Sequence, residues 1–377
     1  MPKDRAQISL RDLAVLSFLI LLPPVFQRAP SLLMGTAGKA AWLSGLLTFV
    51  PLALYFLFLR LFLKNRAEGE GLSELFLRAL GPVAGRAALL LNAGWFLFYA
   101  GFALRAAGAR LTDTIYPAAA YQFFTVATLL IAAVAAFGRA DAFLRTAARF
   151  APFVFAVIAV IFLLALPKLD VKALLPAVGP RRAVSLLGGA AMGFNLASTA
   201  VYVAFFTGGL SPGKQKKAPL LWLAVFIALT LGLLCALCQS AFGPALSQKL
   251  NYPFFSLIRD IDLFKVFTRF EALIVTIWSL GDYFLSALLL AVGAQQLQLV
   301  FKTQVPEDRG KRLPLFRQGR WTVWLCVGIA LVLSLTLAQR QGEMKFLSET
   351  VLPIIKWAVA LGLYPLVFAV GKIRRKI

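Results

Sequence analysis

The chain has 377 residues, 60% hydrophobic and 15% charged, with a mean hydropathy of +0.81. Soluble domains are about half apolar, so this composition excludes a water-soluble monomer and makes the bilayer the solvent. The net charge of +23 does not point to nucleic acid, because the lysines and arginines occupy short loops between apolar runs rather than one arm or face. No histidine occurs, which removes imidazole bases and imidazole metal ligands. No nucleophile, base and orienting group stand at a recognisable spacing, so no enzymatic chemistry, metal or cofactor is expected.

Runs of roughly 20 apolar residues fall at 12–33, 41–63, 87–110, 117–137, 144–166, 184–208, 219–242, 269–300, 321–338 and 349–371. They predict an all-α polytopic membrane protein of about ten transmembrane helices, one membrane domain over 1–377. The first run follows a basic start but lacks a signal-peptidase site, so it is read as a span. Lys3, Arg5, Arg60, Lys64, Arg66, Arg78, Arg139, Lys214, Lys302, Arg309 and the tail Lys372 to Lys376 all fall on one side. The positive-inside rule then places both termini in the cytosol.

A polar joint at 167–183, with Pro167, Lys168, Asp170, Pro176 and Arg181, divides the chain into 10–166 and 184–371. Five spans in each half is an odd number, so the second half enters in the opposite sense. This is the 5+5 inverted repeat of many secondary transporters, in which helices 1 and 6 are broken near the midplane. Pro23 and Pro24 interrupt the first span, since each removes a helix donor. The sixth reads Gly188-Gly189-Ala190-Ala191-Met192-Gly193-Phe194-Asn195. Two readings stand for these features: ligand-binding breaks, or a simple kink and a small-residue helix contact.

Polar residues in mid-span mark a cavity or a partner helix. Asp282, in Trp278-Ser279-Leu280-Gly281-Asp282, calls for a cation, a proton or a ligand amine, or is a hydrogen-bonded structural acid. Tyr99 and Asn92 lie on the third span. Thr276 and Ser279 offer oxygens for an ion, or bond back to their own helix. Arg105 and Lys356 are read as snorkelling to the outer interface. Cys235-x-x-Cys238 has no second pair and reads as helix packing. Residues 252–264, from Tyr252 to Phe264, space apolar and charged groups as a surface amphipathic helix, a lid or an anchor. The basic loop 302–320 suits a partner or anionic membrane lipid.

Tyr252-Pro253-Phe254-Phe255-Ser256-Leu257-Ile258-Arg259, followed by Arg269-Phe270-Glu271 and Trp278, resembles the "YPF…R…RxE…W" block of the spore permease family, the GerAB-type B subunits of nutrient germinant receptors. Ala37-Gly38-Lys39-Ala40-Ala41-Trp42-Leu43 resembles that family's turn before its second helix. The resemblance runs from about 10 to 370. It implies an amino acid/polyamine transporter (APC) superfamily fold that senses a germinant, expected to be an amino acid, in the spore inner membrane. It also implies two partners, a larger A subunit and a lipoprotein C subunit. Its pocket is expected from helices one, three, six and eight, here Pro23, Pro24, Tyr99, Gly189, Met192, Gly193, Phe194, Asn195, Trp278 and Asp282, with Thr276 and Ser279 as a possible ion site. Ala40 departs from the family's usual Asp, and no acid accompanies Asn195.

In this scheme a zwitterion's carboxylate meets N–H groups at one break, and its ammonium meets carbonyls at the other, aided by Asp282. The alternatives are a proton- or sodium-coupled amino acid or polyamine transporter using the same site, and a structural membrane subunit.

Overall fold

A computed structural model describes residues 8–64, 66, 70–175, 183–210, 218–260, 271–301 and 320–376. A backbone in hydrocarbon must satisfy its own polar groups, and this chain does so as helix. Among the described residues the only strand-like pairing is one parallel bridge between Ile8 and Leu210.

The first run forms α1 (Leu10–Leu19) and α2 (Leu22–Ala37). Ser9 and Asp12 close a capping box at the start of α1. Ile20 and Leu21 sit between the two helices with ψ of −14° and −15°. Pro23 and Pro24 follow at once, so the carbonyls of Leu19 and Ile20 lose their ladder donors. Gly38, with φ of +55°, turns the chain into α3 (Ala41–Leu47) and α4 (Phe49–Phe62). After α5 (Leu72–Leu80) come the long α6 (Pro82–Thr114), α7 (Tyr121–Phe137), α8 (Ala140–Ala165) and the short α9 (Val171–Leu174).

In the second half, α10 (Ala183–Ala197) passes directly into a twelve-residue 3-10 segment, Ser198–Gly209. Such segments rarely exceed a turn, so the sixth run changes geometry at Ala197, after the glycine-rich stretch rather than within it. Then follow α11 (Ala218–Ser247), α12 (Pro253–Arg259), α13 (Glu271–Phe301) and α14 (Arg320–Thr336). The last run is α15 (Gln341–Phe346), α16 (Leu352–Trp357) and α17 (Tyr364–Ile373), joined by π turns at Leu347–Val351 and Ala358–Leu363.

Among the described residues, seven helical stretches are long and apolar enough to cross a membrane. Two further apolar helices, α7 and α14, have 17 residues each. The even division into ten spans therefore differs from what length alone supports: the first run is cut at Ile20, and Leu22–Phe62 joins two runs through Gly38. Leu54, Leu91, Phe123, Val134, Leu163, Trp222, Trp324 and Leu366 stand exposed on the outside, a lipid-facing surface for an integral membrane protein.

Packing centres on α6, which runs along α13, and on α10, which lies against α2 and α3. The contact of α10 with the second run uses small residues. A Cβ on Gly193 would collide with the Thr48 hydroxyl, and one on Gly189 would stand 2.6 Å from the Ser44 hydroxyl. A backbone-to-backbone approach lies nearby, where a Cβ on Gly45 would come 2.7 Å from the backbone nitrogen of Gly232. The segment read as a surface amphipathic helix is instead tucked into the bundle: Pro253, Phe254, Phe255, Leu257 and Ile258 of α12 are all buried. Phe254 meets Phe26 and Phe162, and Phe255 meets Trp278. Residues 261–264 of that segment, Arg269, the joint from Pro176 to Arg182 and the basic loop through residue 319 lie outside the described residues.

Gly45→Ala should lower stability by about 1–3 kcal/mol, because the obstacle is backbone and cannot rotate away. Gly188 faces open space, so Gly188→Ala should gain about 0.5–1 kcal/mol of helix propensity. Thermal unfolding of the two purified variants in detergent checks the pair, and equal melting temperatures would refute so close an α3–α11 contact.

Candidate functional site

A cavity of about 450 Å³ opens between the two interrupted runs. Pro23, Pro24, Gln27 and Arg28 of α2 form one wall, Tyr99, Arg105 and Arg110 of α6 another, and Asn195 and Leu196 of α10 a third. Asp282 of α13 and Pro353 and Lys356 of α16 complete it. Its mouth is formed by Asp113, Asn251, Tyr252 and Gln341. These lie where α6 and α11 end and α15 begins, so the cavity opens at that end of the bundle.

The structure supplies Asp282 with a partner that the sequence does not suggest. Arg110 donates to the Asp282 carboxylate as a buried ion pair, with side-chain exposures of 2% and 4%. The guanidinium also lies 5.2 Å from the centre of the Trp278 ring. Arg110 ends the third apolar run and reads there as an ordinary flanking charge. Its only sequence signal is the spacing from Arg105, which puts two arginines inside one helix. The register of the pair is fixed by Gly281, where a Cβ would stand 2.6 Å from the Pro23 ring. The proline break thus seats directly on the residue before Asp282.

Lys356 does not snorkel outward. It is buried (4% exposed), and its ammonium donates to Thr199 Oγ1 at 2.9 Å and to the Tyr99 hydroxyl at 3.2 Å. It also lies 4.7 Å from the centre of the Tyr99 ring. Tyr99 is held in place by stacking on Trp95 one turn earlier, and Trp95 donates to the Tyr202 hydroxyl. Asn195 donates to the carbonyl of Pro353 at 2.9 Å, tying the end of α10 to α16. Arg105 is buried too, with its guanidinium 3.7 Å from the centre of the Tyr121 ring. At the mouth, Tyr252 donates to Asp113 at 3.3 Å. Burial pushes the Tyr252 hydroxyl up to about 12, so it acts as a donor at any physiological pH.

Of the residues singled out in the sequence, Pro23, Pro24, Tyr99, Asn195 and Asp282 come together on this cavity. Gly189 and Gly193 face α3 instead. Met192 is absent from the lining, and Phe194 packs between Tyr55 and Trp357. Trp278 supports from behind, against Tyr252, Phe255 and Arg110. The Thr276 and Ser279 hydroxyls donate to the carbonyls of Ala272 and Val275 one turn back, as hydroxyls in membrane helices commonly do. Asn92 joins Gln296 and Tyr364 in a helix-to-helix bond outside the cavity. Trp42 and Pro253 pack at the start of α3 and α12, and Glu271 opens α13. Cys235, Cys238 and Cys326 are buried free thiols.

A second cavity of about 790 Å³ lies toward the other end, along Leu13, Ser17, Arg60, Ala200 and Thr207. Residues 18–22 and 197–199 separate the two. On the second cavity's side of that partition Ser17 donates to the carbonyl of Ala200 at 3.3 Å.

Removing Asp282 alone strands a buried guanidinium, so Asp282→Leu should cost about 3–5 kcal/mol, whereas the double variant Asp282→Leu/Arg110→Met should recover most of that loss. Thermal unfolding of the single and double variants reads the difference. Additive losses would show that the two groups do not form a pair.

A comparison with curated proteins finds no match. The profile of the spore permease family, described as spore germination protein, matches residues 7–341. That stretch covers most of the chain, and the chain belongs to the spore permease family of spore germination proteins.

Proposed function

We propose that this chain is the membrane subunit of a nutrient germinant receptor, binding a small germinant, an amino acid by family expectation, in the cavity between its broken helices. The observation that carries this reading is the convergence of both interruptions and of buried, hydrogen-bonding side chains from four runs on one cavity large enough for a small metabolite. Ten spans in a 5+5 inverted repeat, both termini in the cytosol and residence in the spore inner membrane belong to the same proposal. Leu22–Phe62 then counts as parts of two spans joined by Gly38, and α7 and α14 as short tilted spans.

A ligand in this cavity would touch helices from both halves of the chain. It would therefore bind one arrangement of the bundle better than another and shift the population accordingly. The larger A subunit and the lipoprotein C subunit would read that shift. Pro23, Pro24, Tyr99, Asn195 and Asp282 are the proposed wall. Asp282 acts through Arg110 rather than as a free acceptor for a ligand amine.

One observation favours transport as the second reading: two cavities reach the same partition from opposite ends, the geometry alternating access needs. A thermal-shift screen of the purified chain against amino acids, nucleosides and polyamines, followed by uptake into liposomes, separates the readings. Stabilisation without concentrative uptake is the expected result, and ion-dependent accumulation would make the protein a transporter. Asn195→Ala and Tyr99→Phe should each weaken the ligand that emerges about tenfold, or roughly 1.4 kcal/mol. Gly188→Ala should leave its affinity unchanged.

A further inference from the structure

We infer that the cavity is built for a carboxylate-bearing ligand of net negative charge, such as a dicarboxylate or an acidic amino acid, rather than for a neutral zwitterion or a cation. The inference rests on the proposed role of this cavity as the ligand site and names the class of ligand it takes.

The argument is one of uncompensated charge. Five basic side chains line the cavity, Arg28, Arg105, Arg110, Lys345 and Lys356, against only two acids, Asp113 and Asp282. Asp282 is taken by Arg110, and Arg28 is paired with Glu349 at 3.2 Å. Asp113, held by Tyr252 at the mouth, is left to face Arg105, Lys345 and Lys356. The deepest of these cations has no carboxylate at all among the described residues: Lys356 gives its protons to two neutral hydroxyls. An ammonium buried in a membrane bundle without a counter-charge is costly, and an anion brought beside it removes that cost.

The hydrogen-bond inventory leans the same way. Nε2 of Gln27, Nε and Nη1 of Arg105 and Nη1 of Arg110 are buried without an acceptor among the described residues. All three residues line the cavity and are at least nine-tenths buried. Unmet donors outnumber unmet acceptors around one small space, and a carboxylate brings only acceptors. A ligand ammonium would add a charge of the sign already in excess, and the single buried acid that could receive it is occupied by Arg110.

The test is a titration of the purified full-length chain in detergent, at constant ionic strength, with five probes: succinate, L-aspartate, inorganic phosphate, L-alanine and putrescine. Succinate or L-aspartate should bind at least tenfold more tightly than L-alanine, and putrescine should not bind. Lys356→Met and Arg105→Gln should each reduce affinity for the preferred anion tenfold or more. The ligand-free melting temperature of each variant shows whether it is folded, and the wild-type ranking decides the matter if either is not. Tighter binding of L-alanine or putrescine would overturn the ligand class while leaving the receptor reading intact. Phosphate ranking above both carboxylates would overturn the carboxylate assignment. No binding by any of the five would overturn the inference and the assignment of the cavity as a ligand site together.

Discussion

The pairing of Arg110 with Asp282 is the constraint on which the centre of this bundle depends. Either charge alone in the interior of a membrane protein is expensive, and the two together offset one another only if α6 and α13 meet in a single register. That register also lays Gly281 against Leu22 and Pro23, so the ion pair, the longest helix contact and the first break form one mechanical unit. Trp278 supports the guanidinium from one side, and α12 supports Trp278 in turn through Phe255. The segment that begins at the cavity mouth with Tyr252 is thereby coupled to the placement of its wall.

The second interruption is held differently. Up to Ala197 the sixth run is an α-helix pressed close to α3 through Gly189 and Gly193, where small side chains let backbones approach without a hydrophobic drive between helices. Beyond Ala197 it tightens to 3-10 geometry. The carbonyl of Ala200 accepts from Ser17, and the hydroxyl of Thr199 accepts from Lys356. Irregular backbone survives at this depth because side chains of neighbouring runs supply partners that lipid cannot. The last run contributes from positions flanked by two π turns, a distortion often found at functional sites.

Much of this was legible in the sequence. Apolar run length gave the all-helical membrane class, and consecutive prolines marked the first break, because a missing donor is a local property that no partner can restore. The glycine stretch of the sixth run was ambiguous for the opposite reason. Glycine permits both a break and a close contact, and only Thr48 and Ser44, about 140 positions away, show that contact governs Gly189 and Gly193. Arg110 and Lys356 escaped a local reading because a charge near a span end looks the same whether it turns outward to headgroups or inward to a partner. The apolar pattern of α12 was read correctly as one-sided, but a helical pattern does not say whether that side meets lipid or protein.

The charge pattern of the cavity bears on how such a bundle would sense rather than merely bind. Its cations come from separate elements: Arg105 from α6, Lys356 from α16 and Arg28 from α2. Arg28 has Glu349 beside it, but Arg105 and Lys356 repel one another, which favours arrangements that hold their runs apart or keep the space hydrated. An anion among them would reverse the sign of that interaction and draw α6 and the last run toward Thr199, which already accepts from Lys356. A ligand binds one conformation better than another only through such differential terms. In a low-dielectric interior, the completion of an unbalanced charge cluster is among the largest that a small molecule can supply. The same excess of positive charge that would favour an anion would also make its binding a signal.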